Sequence, residues 1–343
     1  MSYLEKINLQ TKTRFWVNNP TINETKEAIA NSAFACTTNP AYCSKLLQSD
    51  PKYIKTIIKK ITAREKDVSI AAEKIYHNIS GEIMKLFRET YDKSEGQGGF
   101  VTVQEDPRRE ENIDYIVEAS IRSSKLNKNY MAKIPVTESG LKAIEEMVRL
   151  DIPICATEIF SLSQTLAVCE VYENASKKYK NSPILFITHI TGIMDQYFHE
   201  IVQKEKILIS PEALELAGTA IALKEYKLLK EKNLPHKMLG GGARGLQHFT
   251  NFVGGDLHIT INWSTALDLN NTFEEPVQVI DQEVPMQLIN ELNNKLPNFS
   301  RAYYEDGMKV EEFADYGPVM LFRTQFMNGY SRLVDEVQIQ LNS

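Results

Sequence analysis

Eight short apolar runs rich in β-formers punctuate this chain, at residues 14–18, 33–37, 99–104, 130–134, 154–157, 184–188, 237–241 and 257–261. Between them lie longer amphipathic segments with helical periodicity, such as residues 138–150, 162–180, 211–231 and 246–253. Strict alternation of this kind predicts an α/β fold with parallel strands. Eight strands with helical crossovers in 343 residues point to a (β/α)8, or TIM, barrel. The competing architecture is a doubly wound open sheet, but no Gly-x-Gly-x-x-Gly follows the first run.

The stretch from residue 39 to 95 is long enough for more than one helix. Beyond Trp263 the pattern holds helical segments at 288–294, 310–313 and 322–340 and no convincing strand. We therefore expect one domain spanning residues 1–343, with a barrel over about 14–262 and a helical C-terminal extension over 263–343. Phe322, Phe326, Met327 and Tyr330 form an apolar stripe suited to covering the barrel, or to a subunit contact such as a homodimer.

Composition narrows the function. A net charge of -6 leaves no basic footprint for a nucleic-acid partner. No apolar run approaches the ~20 residues that span a bilayer, and the start, Met1-Ser2-Tyr3-Leu4-Glu5-Lys6, is too polar for a secretory signal. Cys36, Cys43, Cys155 and Cys169 show neither metal-ligand spacing nor a dense disulfide pattern, as expected of thiols in a reducing cytoplasm. The six histidines form no HExxH-type motif, so a metal site is not expected.

Lys133 stands inside the fourth run, Tyr130-Met131-Ala132-Lys133-Ile134-Pro135. Burying an ammonium is costly, and desolvation lowers its pKa. A neutral amine inside a barrel is the nucleophile that forms a Schiff base with a carbonyl compound. The alternative is a lysine at a strand end whose charge snorkels to water. Barrel chemistry sits at the C-terminal ends of the strands. Those ends carry Asn18, Asn39, Gln104, Lys133, Thr157, Thr188 and Arg244, a polar ring above apolar strand bodies.

Four segments in register resemble the transaldolase family, including its fructose-6-phosphate aldolase branch. They are Thr37-Thr38-Asn39-Pro40; Gly99 to Pro107; Lys133-Ile134-Pro135-Val136-Thr137 with Gly140; and Thr157-Glu158-Ile159-Phe160-Ser161 with Gln164. The resemblance implies a cofactor-free Schiff-base enzyme acting on a small-molecule sugar or sugar phosphate. Lys133 would attack a ketose carbonyl, release an aldehyde and hold a dihydroxyacetone unit for transfer or release. Asn39 would bind substrate hydroxyls, Thr157 would help position a water, and Thr188 stands where the family has serine. Arg244, in Gly240-Gly241-Gly242-Ala243-Arg244, matches the family's phosphate-binding arginine. Independently of the resemblance, a guanidinium beside a glycine-rich turn offers a fork of donors to an anion. A helix cap or a rim ion pair is the structural alternative.

Departures from the pattern fall on the site itself. Asn18 replaces the strand-one aspartate, and loss of a general acid–base costs ~10²–10⁴ in rate. Gln104 replaces a glutamate, as in the aldolase branch, so both keep only hydrogen-bonding roles. Cys155 replaces an asparagine, Ile190 an aromatic, Ile193 a second phosphate-binding arginine, and Gly242 a serine. A phosphate pocket so thinned suits a mono-anionic, differently phosphorylated or unphosphorylated sugar. Alternation along strands turns Glu158 and His189 away from the lumen if Thr157 and Thr188 face in. Asp106 shares the parity of Gln104, but we expect a solvated or helix-facing role for it. The outcome is either a working enzyme with an altered substrate or a drifted homologue that binds or senses sugars.

Overall fold

The computed structural model describes residues 1–234 and 236–343. All eight apolar runs are strands: β1 (Arg14–Asn18), β2 (Ala35–Thr37), β3 (Val101–Val103), β4 (Tyr130–Pro135), β5 (Ile154–Ile159), β6 (Leu185–His189), β7 (Lys237–Gly240) and β8 (His258–Ile261). Each pairs in parallel with the next, and β8 returns to β1, closing the barrel. Every residue of β4 and β5 is buried. Strands covered on both faces read as continuous apolar runs rather than alternating ones, so a charge within such a run stands out.

Side chains inside the barrel stack in layers. Trp16, Ala35, Phe100, Met131, Cys155, Phe186 and Leu239 form one buried cluster, each from a different strand or its start. Stepping two residues along each strand reaches the next inward position. That step leads from Trp16 to Asn18, Ala35 to Thr37, Met131 to Lys133, Cys155 to Thr157 and Phe186 to Thr188. An apolar plug thus underlies a polar layer at the C-terminal ends. Trp16 Nε1 satisfies itself within the plug by donating to His258 Nδ1 at 2.8 Å.

Crossover helices seat on the strands through local signals. Thr137 caps the helix Glu138–Arg149, its side chain accepting from Gly140 N. A Cβ on Gly140 would fall 1.8 Å from the Pro135 carbonyl oxygen, so only glycine allows this close return after β4. Residues 39–95 hold three helices, Tyr42–Ser49, Pro51–Thr62 and Val68–Lys93. Tyr76, on the last of them, reaches the barrel rim, where its hydroxyl lies 2.7 Å from Thr38 Oγ1 and accepts from Gln104 N.

Two expected helices are shorter in the structure. Residues 211–231 break at Leu216 into Pro211–Glu215 and Ala217–Glu231, where Asp195 Oδ1 takes the Gly218 N–H as a cap would. Only Gln247–Thr250 of residues 246–253 is helical. The C-terminal helices Met286–Lys295, Pro297–Tyr303 and Gly317–Leu341 cover the barrel, and no strand follows β8 among the described residues. Phe322, Phe326 and Tyr330 are buried within the chain, so these three of the stripe cover the barrel. No helix is long and apolar enough to cross a membrane among the described residues.

Candidate active site

Lys133 is 7% exposed and makes no ion pair among the described residues. Its Nζ lies 5.3 Å from the centre of the Phe326 ring, on the C-terminal helix. Burial lowers its pKa, opposed in part by the nearby Cys155 thiol and Glu158 carboxyl. The amine faces a cavity of about 250 Å³ that Asn18, Asn39, Thr188 and Arg244 also line. Five predicted positions therefore converge on one hollow. Gln104 lies on the other side of Lys133, where the two line a void of about 20 Å³. Thr157 is fully buried beside them, its Oγ1 without a hydrogen-bond partner. A larger hollow of about 780 Å³ opens near Arg14, Lys237 and His258, at strand starts, away from this polar layer.

Asn18 is held in an amide–hydroxyl net. Its Oδ1 accepts from Thr37 Oγ1 at 3.0 Å, and its Nδ2 donates to Asn262 Oδ1 at 3.1 Å. Thr37 in turn lies 2.6 Å from Thr260. No titratable group belongs to this net. Asn39 is fixed by its Oδ1, which accepts from Ala41 N, and by its own N–H, which donates to Asn19 Oδ1. Thr188 Oγ1 lies 3.1 Å from Cys155 Sγ, so the cysteine fills the wall beneath Lys133 and occupies the threonine hydroxyl.

Glu158 corrects an expectation. Strand alternation turns it outward, yet its carboxylate accepts from Gln104 Nε2 at 2.9 Å. The cause is an irregularity in β5. Ala156 pairs with Ile187 but Ile159 with His189, so β5 carries one residue more than β6 over that interval. Glu158 sits there at φ 60°, and a bulge of this kind re-aims a side chain. Gln164 clamps the distortion: its Nε2 donates to the carbonyls of Glu158 and Val136, and its Oε1 accepts from Phe160 N. Because β4 lies between β3 and β5, the Gln104–Glu158 bond crosses over the strand that carries Lys133.

A second acid joins this wall. Glu110 is 4% exposed, and Arg323 Nε from the C-terminal helix stands 2.6 Å from its Oε1. Burial raises Glu110 to about 9, with the charge of Glu158 the next contribution and Arg323 pulling the other way. Burial likewise raises Glu158 to about 7, against the Gln104 bond, Lys133 and Arg323. His189 and Asp106 take the bland roles expected of them. His189 turns outward to Glu225 at 2.7 Å, and Asp106 is gripped by Arg108 through both oxygens.

Arg244 stands at the mouth, bonded to Gln196 Oε1 at 3.1 Å and Gln325 Oε1 at 3.3 Å. No carboxylate pairs with it among the described residues, which disposes of the rim ion-pair alternative. His248 orders its loop: Nδ1 accepts from the N–H groups of Arg244 and Gly245, and Nε2 lies 2.7 Å from Asp195 Oδ2. Gly242 adopts φ 66°, a conformation that favours glycine over a side chain. Ile193 is fully buried and supplies no charge. Lys45, from the helix Tyr42–Ser49, lines the same cavity with Nζ donating to Asn19 O at 3.0 Å. Among the described residues no group of three or more His, Cys, Asp or Glu is placed to hold a metal.

The family model for transaldolase/fructose-6-phosphate aldolase matches residues 15–315. The chain belongs to that family. A transaldolase of Campylobacter jejuni subsp. jejuni serotype O:6 (strain 81116) is 27% identical over 263 residues, covering 76% of this chain and 78% of that protein. Transaldolase 2 of Streptomyces avermitilis is 30% identical over 190 residues, 54% of this chain and 50% of the relative. A transaldolase of Mycolicibacterium smegmatis is 24% identical over 234 residues, 65% and 62% of the two chains.

Within the transaldolase-family barrel, several site residues carried no motif. Lys45, Asn262, Thr260, Gln325 and Phe326 line the cavity. Carrying the β8 alternation from His258 through Thr260 to Asn262 would have found two of them. Glu158 is legible by the argument applied to Lys133, since it too is a charge inside an apolar strand run. Gln325 had no such signal, because it enters from a distant helix, and the apolar stripe that contained Phe326 did not tell that it would meet Lys133.

Proposed function

We propose that this chain performs transaldolase- or aldolase-type chemistry by imine formation at Lys133. The supporting observation is the state of that lysine: a buried amine without an ion pair, its pKa lowered by burial, facing a polar cavity. Family membership supports an aldolase or transferase acting on sugar phosphates. In this reading Lys133 adds to a ketose carbonyl, the bond beyond the neighbouring carbinol breaks, and a dihydroxyacetone unit stays on the enzyme for release or transfer. Asn39 and Thr188 bind hydroxyls, Asn18 and Gln104 orient by hydrogen bonds, and Thr157 holds a water. Arg244 takes the anionic end, with Lys45 as a second cation. The whole of residues 1–343 acts as one unit, since Phe326 of the tail lies against Lys133.

One arrangement favours the second reading, a sugar-binding or regulatory homologue: the Asn18–Thr37–Asn262 net contains no group that can exchange a proton near neutral pH. Turnover of a ketose panel by wild type and Lys133→Ala separates the two. Loss of all turnover in the variant supports the enzyme. A variant as active as wild type rules out the imine, and a folded wild type that turns over no ketose leaves the binding protein.

A further inference from the structure

Imine chemistry needs a group that gives and takes protons beside the lysine, and neither Asn18 nor Gln104 can do so. The structure nevertheless puts a carboxyl at the lysine strand by an unusual route. Glu158 is fully buried, at a left-handed φ, within a strand irregularity that Gln164 holds in place. Strain of this kind costs roughly 1–3 kcal/mol and persists only where the surroundings fix it. Its Oε1 is bound to Gln104 above β4, while its Oε2 has no partner. The Oε1 of Gln104 and the Oε2 of Glu110 are likewise buried without a hydrogen-bond partner. Gln104, Glu110 and Lys133 line the void of about 20 Å³, room for one water-sized relay.

We propose that Glu158 is the proton reservoir of the Lys133 reaction, coupled to it through Gln104, which binds Glu158 and lines the void beside Lys133, an assignment that rests on the imine reading above. Neutral Lys133 adds to the ketose carbonyl carbon. The N–C bond forms, the carbonyl π pair moves to oxygen, and the proton leaving nitrogen joins that oxygen to give a carbinolamine. Protonated Glu158 then supplies one proton to the hydroxyl, the C–O bond breaks, water leaves, and a protonated imine faces a carboxylate. That carboxylate takes the hydroxyl proton of the departing carbon. The O–H pair becomes the aldehyde π bond, the broken C–C pair becomes the enamine double bond, and the imine π pair settles on nitrogen. Glu158 ends protonated, as it began. Glu110, raised further still, holds a second proton at the same void at neutral pH. The charged groups facing the pair among the described residues are Lys133 from β4, Glu111 beside Glu110, and Arg323 from the C-terminal helix, with Glu105 and Asp106 lining the same void.

The test uses dihydroxyacetone as probe, on the full chain. Its imine at Lys133 exchanges a carbon-bound hydrogen with D2O through the enamine, so exchange reads proton transfer without an acceptor sugar. Borohydride trapping reads the imine separately. We expect wild type and Glu158→Gln both to trap on Lys133. Wild-type exchange should fall as pH rises through a break near 7, where Glu158 loses the proton that dehydration needs, and the variant should lose about 10²-fold in exchange together with that break. Exchange within about threefold of wild type, with the break unmoved, overturns the proposal while leaving the imine intact. Failure of wild type to trap removes the imine reading and this proposal together. Should Glu158→Gln not fold, Arg323→Gln serves: removing that cation moves the break upward, and an unmoved break overturns the assignment.

Discussion

Gln104 Nε2 donates a 2.9 Å hydrogen bond to Glu158 Oε1 above the strand that carries Lys133. The amide stands on one side of β4 and the acid on the other, so the lysine lies beneath a bridge between its neighbouring strands. On the opposite side, Asn18 belongs to a net of amides and hydroxyls only. Acidity at this barrel mouth is concentrated on the Glu158 side.

That asymmetry predicts the effect of restoring an acid at the first strand. Asn18→Asp keeps the acceptor for Thr37 and needs only a turn of the Asn262 amide to remain satisfied. We expect turnover of ordinary transaldolase substrates to rise by about 10²-fold, the lower reach of a general acid–base contribution. Steady-state kinetics with fructose 6-phosphate and an aldose phosphate acceptor measure it. No gain in the folded variant means that proton transfer does not limit this reaction.

Arg244 predicts a binding effect. Its guanidinium meets only amide and carbonyl oxygens, so its charge is available to an anion. Replacing Arg244 with Gln should raise KM for phosphorylated ketoses about 10- to 100-fold, the worth of a charge-assisted hydrogen bond. The kcat should change little, and KM for an unphosphorylated ketose should stay put. Equal loss with both substrates would show that Arg244 supports the loop rather than the ligand.

Glu110 predicts a stability effect with a definite sign. Its folded-state pKa is raised from 4.5 to about 9, by burial first and then by Glu158. A carboxyl raised on folding stabilises fully below its unfolded value, and the contribution fades as pH climbs through the folded value. Wild-type stability should therefore fall relative to Glu110→Gln as pH rises from about 5 to about 9. Melting temperatures across that interval test it, and a difference independent of pH would contradict the raised pKa.

The C-terminal helix predicts a steric effect. A Cβ on Gly329 would lie 2.5 Å from the Ala41 Cβ and 2.7 Å from its Cα, so the helix seats directly against the loop that carries Asn39. Gly329→Val should lift the helix, expose Phe326 and weaken binding of any ketose. Protease sensitivity near residues 317–341 alongside KM would show it. Unchanged protection would mean that the helix accommodates the branch by a small shift.

Legibility in the sequence followed physics. Strands buried on both faces write themselves as apolar runs, which is why all eight were visible and why Lys133 stood out among them. Strand alternation placed Asn18, Thr157 and Thr188 in one layer and turned His189 outward to Glu225. The same rule failed at Glu158, because one extra residue in β5 resets the alternation there. Helix ends at 216 and 250 were illegible because tertiary groups such as Asp195 decide them. Phe326 and Arg323 reach the site from far along the chain, and no local pattern records such a meeting.

Borohydride reduction turns an imine at Lys133 into a stable amine that can be mapped. The folded protein would be incubated with fructose 6-phosphate, dihydroxyacetone and unphosphorylated or sulfonated ketoses, reduced, and mapped by peptide mass spectrometry. An adduct on the peptide containing Lys133, absent from Lys133→Ala, is the predicted result. No adduct from any ketose, or one on a different lysine, would rule out imine chemistry at Lys133.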